Sequence, residues 1–191
     1  VKKEYAFLFM VIAFVAGMIV GVVAAVYYED KTPLASSAVK QSTPSQAARP
    51  ENMRKQIHDL QSILRDDPKN LNVLIQLGNF YFEAGQINQA IETYSEALEI
   101  DPENADVRTD LGIMYRRKGD YDKAIAEFKK ATQIDPRHGN SRYNLGIVLL
   151  HDKGDLKGAI KAWEDYLKVE PTGPRADNIR NQMARMKSMV R

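Results

Sequence analysis

The sequence predicts an all-α protein in three parts: an amino-terminal transmembrane helix, a flexible spacer, and a stack of helix pairs closed by a capping helix at each end. Three observations carry this. Tyr5 to Tyr28 is a run of 24 residues without a charge. Asp67-Pro68, Asp101-Pro102 and Asp135-Pro136 recur at a spacing of 34, and Glu170-Pro171 follows after 35. Between these points the apolar residues keep helical periodicity.

Composition narrows the function classes. The chain of 191 residues is long enough for one domain plus an attachment. Its 27 basic and 25 acidic residues nearly cancel, leaving no whole-chain footprint for nucleic acid. It has no cysteine, which removes disulfides, thiolate metal sites, CxxCH haem attachment and cysteine nucleophiles.

The first element is the uncharged run over 5–28, after a tail of residues 1–4. As a helix it spans about 36 Å, more than the hydrocarbon core of about 30 Å. Tyr5, Tyr27 and Tyr28 stand at its ends, where amphipathic rings prefer the interface. Lys2 and Lys3 favour a cytoplasmic amino terminus and place the rest on the far side, the periplasm if the membrane is a bacterial inner membrane. The run also fits a cleaved signal peptide, with Val23 and Ala25 ahead of Val26, although a signal core is usually only about 7–15 residues. Valine at position 1 fits a GUG start codon read literally or a missing initiator methionine. Ala13, Gly17, Gly21 and Ala25 recur every fourth residue and line one helix face. That face suits a homodimer or docking on another membrane protein, and small residues are also common in membrane helices with neither role.

Residues 29–50 form the spacer. Pro33, Pro44, Pro50 and the serines cannot build a core. Residues 31–50 reach roughly 25 Å as a flexible coil.

The repeat units follow. The first has Leu74, Leu77-Gly78, Tyr81, Ala90, Tyr94, Ala97 and Pro102. The second has Arg108, Leu111-Gly112, Tyr115, Ala124, Phe128, Ala131 and Pro136. The third has Arg142, Leu145-Gly146, Leu149, Ala159, Trp163, Tyr166 and Pro171. Gly78, Gly112 and Gly146 fall mid-helix, where glycine costs about 1 kcal/mol against alanine, so they read as close helix–helix contacts. Gly85, Gly119 and Gly154 suit the ends of first helices; Asn104, Asp106 and Asn140 suit the starts of the next ones. The third unit carries one extra residue in HDKGDLKG, a loop that should bulge.

These residues resemble the tetratricopeptide repeat family, with its W/L-x-x-L-G-x-x-Y, A-x-x-x-F, A and P signature over 34 residues. Arg108 and Arg142 depart from the first signature position, and Leu149 and Tyr166 depart in the third unit. The resemblance implies a right-handed superhelix with repeats at 71–104, 105–138 and 139–173. Residues 51–67 read as an amino-terminal capping helix, with Ile57, Leu60, Ile63 and Leu64 at helical spacing. Residues 174–191 read as a carboxyl-terminal capping helix, with Ile179, Met183, Met186 and Met189 on one stripe. Its outer face is basic through Arg175, Arg180, Arg185, Lys187 and Arg191, a solvated face or a surface for membrane or acidic partners.

The resemblance also implies a groove lined by the first helix of each repeat, which holds a partner peptide or amphipathic helix. By alignment it comprises Asn72, Ile75, Asn79, Phe82 and Glu83 of the first unit; Asp106, Thr109, Ile113, Arg116 and Arg117 of the second; and Asn140, Tyr143, Ile147, Leu150 and His151 of the third. Ile75, Phe82, Ile113, Tyr143, Ile147 and Leu150 make an apolar stripe, and Arg116 and Arg117 suit a carboxylate at its edge. The spacer or the carboxyl-terminal helix is the alternative occupant, because Met183 and Met186 need an apolar surface. Some family members clamp the carboxyl terminus of chaperones with asparagines and lysines. Asn79 and Asn144 match two such positions, but Ile75 replaces the lysine and disfavours that ligand.

No catalytic signature is present. His58, His138 and His151 have no ligand spacing, and GxSxG, phosphate-loop and GxGxxG motifs are missing. No cofactor or metal is expected. The expectation is a membrane-tethered scaffold that holds a protein segment during assembly of an envelope complex, with an organisation similar to the tetratricopeptide subunits of cytochrome c maturation. The alternative is a structural subunit of a secretion, pilus or outer-membrane assembly complex that uses its anchor and convex face.

Overall fold

The computed structural model describes the backbone of residues 48–189, all of it helices and short connections. In chain order the helices are α1 (Ala48–Asp66), α2 (Leu71–Glu83), α3 (Ile87–Ile100), α4 (Ala105–Lys118), α5 (Tyr121–Ile134), α6 (Gly139–His151), α7 (Leu156–Val169) and α8 (Pro174–Met189). The run 5–28, with Ala13, Gly17, Gly21 and Ala25, lies outside the described residues, as does most of the spacer. Among the described residues no helix is long and apolar enough to cross a membrane. α1 begins at Ala48, inside the stretch read as spacer, and Pro50 falls in its first turn. Proline is tolerated there because first-turn N–H groups have no intrahelical partner.

Each helix packs on the next, and α4 also meets α6, so α2–α3, α4–α5 and α6–α7 form three stacked pairs. The pairs close over the mid-helix glycines. A Cβ on Gly78 would sit 2.5 Å from the Tyr94 ring, and one on Gly112 would sit 2.7 Å from the Phe128 ring. A Cβ on Gly146 would overlap the Trp163 indole. The three rings are fully buried, so each repeat uses one aromatic of its second helix to fill the space its glycine leaves. Trp163 also donates its indole N–H to the Tyr143 carbonyl at 3.2 Å.

The connections follow from local chemistry. Gly85, Gly119 and Gly154 all adopt positive φ, at 69°, 91° and 67°. Only glycine does this without a steric cost, which lets the chain reverse between the helices of each pair. Asn70 and Asn104 cap α2 and α4 by accepting from the N–H groups of Val73 and Val107 at 3.2 and 3.1 Å. The cap of α6 is not Asn140 but His138, whose Nδ1 accepts from Ser141 N–H at 3.3 Å. Asn140 lies inside the first turn, where its side chain points out and accepts from Arg175 at 3.0 Å.

The arginines that break the repeat signature have a structural use. Arg108 donates to the Pro102 carbonyl at 2.7 Å, and Arg142 donates to the Pro136 carbonyl at 2.5 Å. Arg180 of α8 donates to the Pro171 carbonyl in the same way. Each guanidinium thus satisfies a carbonyl in the turn that ends the preceding repeat.

The caps close the core. Leu60 of α1 is buried in the cluster of α2 to α4, with Ile57 and Leu64 packed against it. Ile63 faces outward and is exposed. α8 buries Ala176, Ile179, Met183 and Met186 against Trp163 and Tyr166. Much of its basic face is engaged: Arg175 lies 4.8 Å over the Tyr143 ring, Arg180 pairs with Asp177, and Lys187 pairs with Glu164. Arg191 and the Met189 side chain lie outside the described residues.

Candidate functional site

The first helices α2, α4 and α6 present the face on which the groove was expected. Their exposed side chains there are Asn72, Asn79, Glu83, Asp106, Arg117, Asn140 and His151. The surface is polar. The expected apolar stripe is largely taken up by packing between helices. Ile75 and Phe82 are half-buried against the first core cluster, and Ile113 packs between two clusters. Tyr143, Ile147 and Leu150 pack into the cluster that α8 completes. Among the described residues the exposed large apolar side chains are Ile63 and Ile100, neither of them on this face. The carboxyl-terminal helix completes the third repeat's cluster by packing on α7.

Two further expected groove residues are committed elsewhere. Thr109 is buried, and its hydroxyl donates to the Ala105 carbonyl at 2.8 Å. Arg116 is paired with Asp152 in the extended loop of the third repeat. The adjacent Lys153 of that loop pairs with Asp122 at 2.9 Å, so the extended loop joins two repeats. Arg117 stacks over the Phe82 ring, 4.2 Å from its centroid, and donates to the Phe82 carbonyl at 3.3 Å. Arg116 is thus engaged with the third repeat through its Nε edge, and Arg117 is held at the edge of α2.

A cavity of about 290 Å³ opens between α2, α3 and α4. Asn79, Phe82 and Glu83 of α2, Tyr94 of α3 and Asp110 of α4 line it. The Tyr94 hydroxyl donates to Asn79 Oδ1 at 2.7 Å. Burial is the first cause that holds the Tyr94 phenol well above its ordinary range, and the charges of Asp110 and Glu83 add to it against Arg117. Burial also pushes the Asp110 carboxyl up to about 6; Asp106 on the same helix raises it further and His138 opposes the shift. Beside the cavity, His138 Nε2 lies 2.9 Å from Asp106 Oδ1. Since Nδ1 accepts the Ser141 N–H, Nε2 carries the proton and donates.

Sequence reading placed Asn79, Phe82 and Glu83 on this face but missed Tyr94 and Asp110. A signal existed for Asp110. The residue before each Leu-Gly pair is Gln76, Asp110 and Asn144, so the second repeat places a carboxylate where the others place an amide. Among the described residues no group of three or more His, Asp or Glu side chains could hold a metal ion.

Two family models described as tetratricopeptide repeat match the chain, one over residues 69–137 and the other over 115–183. No curated protein sequence matches it. Among solved structures, a crystal structure of MamA aligns with a TM-score of 0.64 and 23% identity, over 72% of this chain and 86% of that one. The first tetratricopeptide domain of Spaghetti (RPAP3), bound to the HSP90 peptide SRMEEVD, aligns with a TM-score of 0.56 and 23% identity, over 63% of this chain and 92% of that one. The tetratricopeptide domain of Arabidopsis OM64 aligns with a TM-score of 0.56 and 20% identity, over 60% and 94%. At these identities the likeness is one of fold. Through residues 69–183 the chain belongs to the tetratricopeptide repeat family, whose members are typically non-enzymatic scaffolds for protein–protein interaction.

Proposed function

We propose that this chain is a membrane-tethered scaffold that holds a segment of a client protein on the face formed by α2, α4 and α6, during assembly of an envelope complex. The observation that carries the binding face is the cavity between α2, α3 and α4, the point where this surface opens into the fold beside the exposed polar side chains of the first helices. A stacked solenoid offers such a face as an extended binding surface. That a solved structure of this fold holds a peptide agrees with the reading. The tether rests on the uncharged run 5–28 and the lysines ahead of it, which favour a periplasmic repeat domain. The narrower role, in cytochrome c maturation, rests on the order of anchor, spacer and repeats alone.

The test is a pull-down of the full chain from gently solubilised membranes, with bound proteins identified by mass spectrometry. Asn79→Trp fills the cavity, whereas Lys161→Trp alters the exposed side of α7. A client should be retained by wild type and Lys161→Trp and lost by Asn79→Trp. Equal recovery with both variants contradicts use of this face. Precursors of c-type cytochromes as the client support the maturation role, and pilus or secretion subunits replace it.

A further inference from the structure

We infer that the cavity between α2, α3 and α4 receives a cationic side chain, lysine or arginine, from the protein segment held on this face. The inference rests on the proposed function and adds the chemistry of the partner. Among the described residues, no side chain or backbone group donates a hydrogen bond to Glu83 or Asp110, and neither carboxylate has an ion-pair partner within 4.0 Å. Tyr94 spends its proton on Asn79, so the phenolic oxygen has only lone pairs left to offer. Asn79 offers its amide N–H group as well as its oxygen, but the charged members of the lining are both anionic. The nearby cation, Arg117, is occupied with the ring and carbonyl of Phe82.

A volume of about 290 Å³ admits the head of a lysine or arginine. Its aliphatic stem would lie along Phe82, as long cationic side chains do on apolar surface. The same lining repels a partner carboxylate, because like charges brought together at an interface suppress binding. A metal ion is the poorer fit, since no third His, Asp or Glu side chain joins the two carboxylates among the described residues. Asp110 shares its surroundings with Glu83 of α2, Tyr94 of α3, Asp106 and Arg117 of α4, and His138 at the start of α6. Of these His138 alone offsets the ionised form, and none donates a hydrogen bond to it. A partner cation supplies the compensation.

The test is panning of a phage-displayed random dodecapeptide library on the full chain in mild detergent. The enriched peptides are then measured by fluorescence polarisation against wild type, Asp110→Asn, Glu83→Gln and Asn79→Trp. The wild type should enrich peptides that carry lysine or arginine. Replacing that residue with norleucine should weaken binding about 10-fold, the scale of a hydrogen bond to a charged group. Asp110→Asn should cause a similar loss for the cationic peptide and little loss for the norleucine peptide. Circular dichroism melts establish that the near-isosteric variant is folded. Enrichment without lysine or arginine, or equal binding to Asp110→Asn, overturns the cation site and leaves groove binding standing. Peptides that bind Asn79→Trp as tightly as wild type, or no enrichment at all, overturn the groove reading and this inference with it.

Discussion

The Tyr94 hydroxyl reaches 2.7 Å to Asn79 Oδ1 and ties α3 to α2 at the wall of the cavity. The equivalent rings pack on their own glycines with different partners: Phe128 has no polar atom, and Trp163 donates its indole N–H to the Tyr143 backbone carbonyl rather than to a side chain. Tyr94→Phe keeps the ring over Gly78 and removes the bond. Urea unfolding should show a loss of about 1 kcal/mol. Asn79→Ala should cost a similar amount, and the double variant should cost less than the sum.

Asp110 sets a pH dependence whose sign is opposite to that of a salt-bridged carboxylate. Its folded pKa is raised from the ordinary 3.8 to about 6. Between those values the native state binds more protons than the unfolded chain, so stability falls as pH rises through this window. Asp110→Asn removes the penalty. The variant should be more stable than wild type at pH 7.5, by about 1–3 kcal/mol, and equal to it near pH 4. Thermal melts across this range are the check. A variant less stable at pH 7.5 would mean that the ionised carboxylate is satisfied in the free protein.

Gly112 tests the packing of the repeats. Alanine is the better helix former by about 1 kcal/mol, but its methyl group would meet the Phe128 ring at 2.7 Å. The ring is fully buried and has little room to move. Gly112→Ala should destabilise the domain by about 1–3 kcal/mol, seen as a lower denaturation midpoint. Gly112→Ala with Phe128→Leu should recover part of the loss.

Arg108 pairs with Glu127 at 2.6 Å, with each side chain only 12% exposed. Arg108→Ala leaves Glu127 with the exposed Lys130 and frees the Pro102 carbonyl. The expected cost is about 2–4 kcal/mol in chemical denaturation. Lys161→Ala, which breaks an exposed pair with Asp165, should cost less than about 0.5 kcal/mol.

The helix pairs were legible because glycine, aromatic and Asp-Pro positions repeat at fixed spacing, and each has one physical use. Gly78, Gly112 and Gly146 needed no tertiary information to be read as close contacts. The groove was less legible. Alignment places Ile75, Ile113 and Ile147 on the first-helix face, but it does not say how much of each the neighbouring helix covers. Alignment makes Tyr143 and Ile147 partner contacts, whereas in the structure they pack into the cluster of Trp163 and Tyr166 that α8 completes. His138 as a cap went unread because asparagine is the usual residue at that position, and the imidazole fills the same role with a second bond to Asp106. Asp110 went unread because it is polar next to a signature position, and its burial arises only when α2 and α3 close over it.

The most direct test of the central claim is site-specific photo-crosslinking in intact membranes. A benzophenone side chain at Asn72, Arg117 or His151, all exposed on the first-helix face, is compared with one at Glu92, Ala126 or Lys161, exposed on the second helices. Crosslinks to one client protein from the first set, and not the second, are the expected result. Crosslinks from the second set alone would place the partner on the opposite face and contradict a client-binding groove.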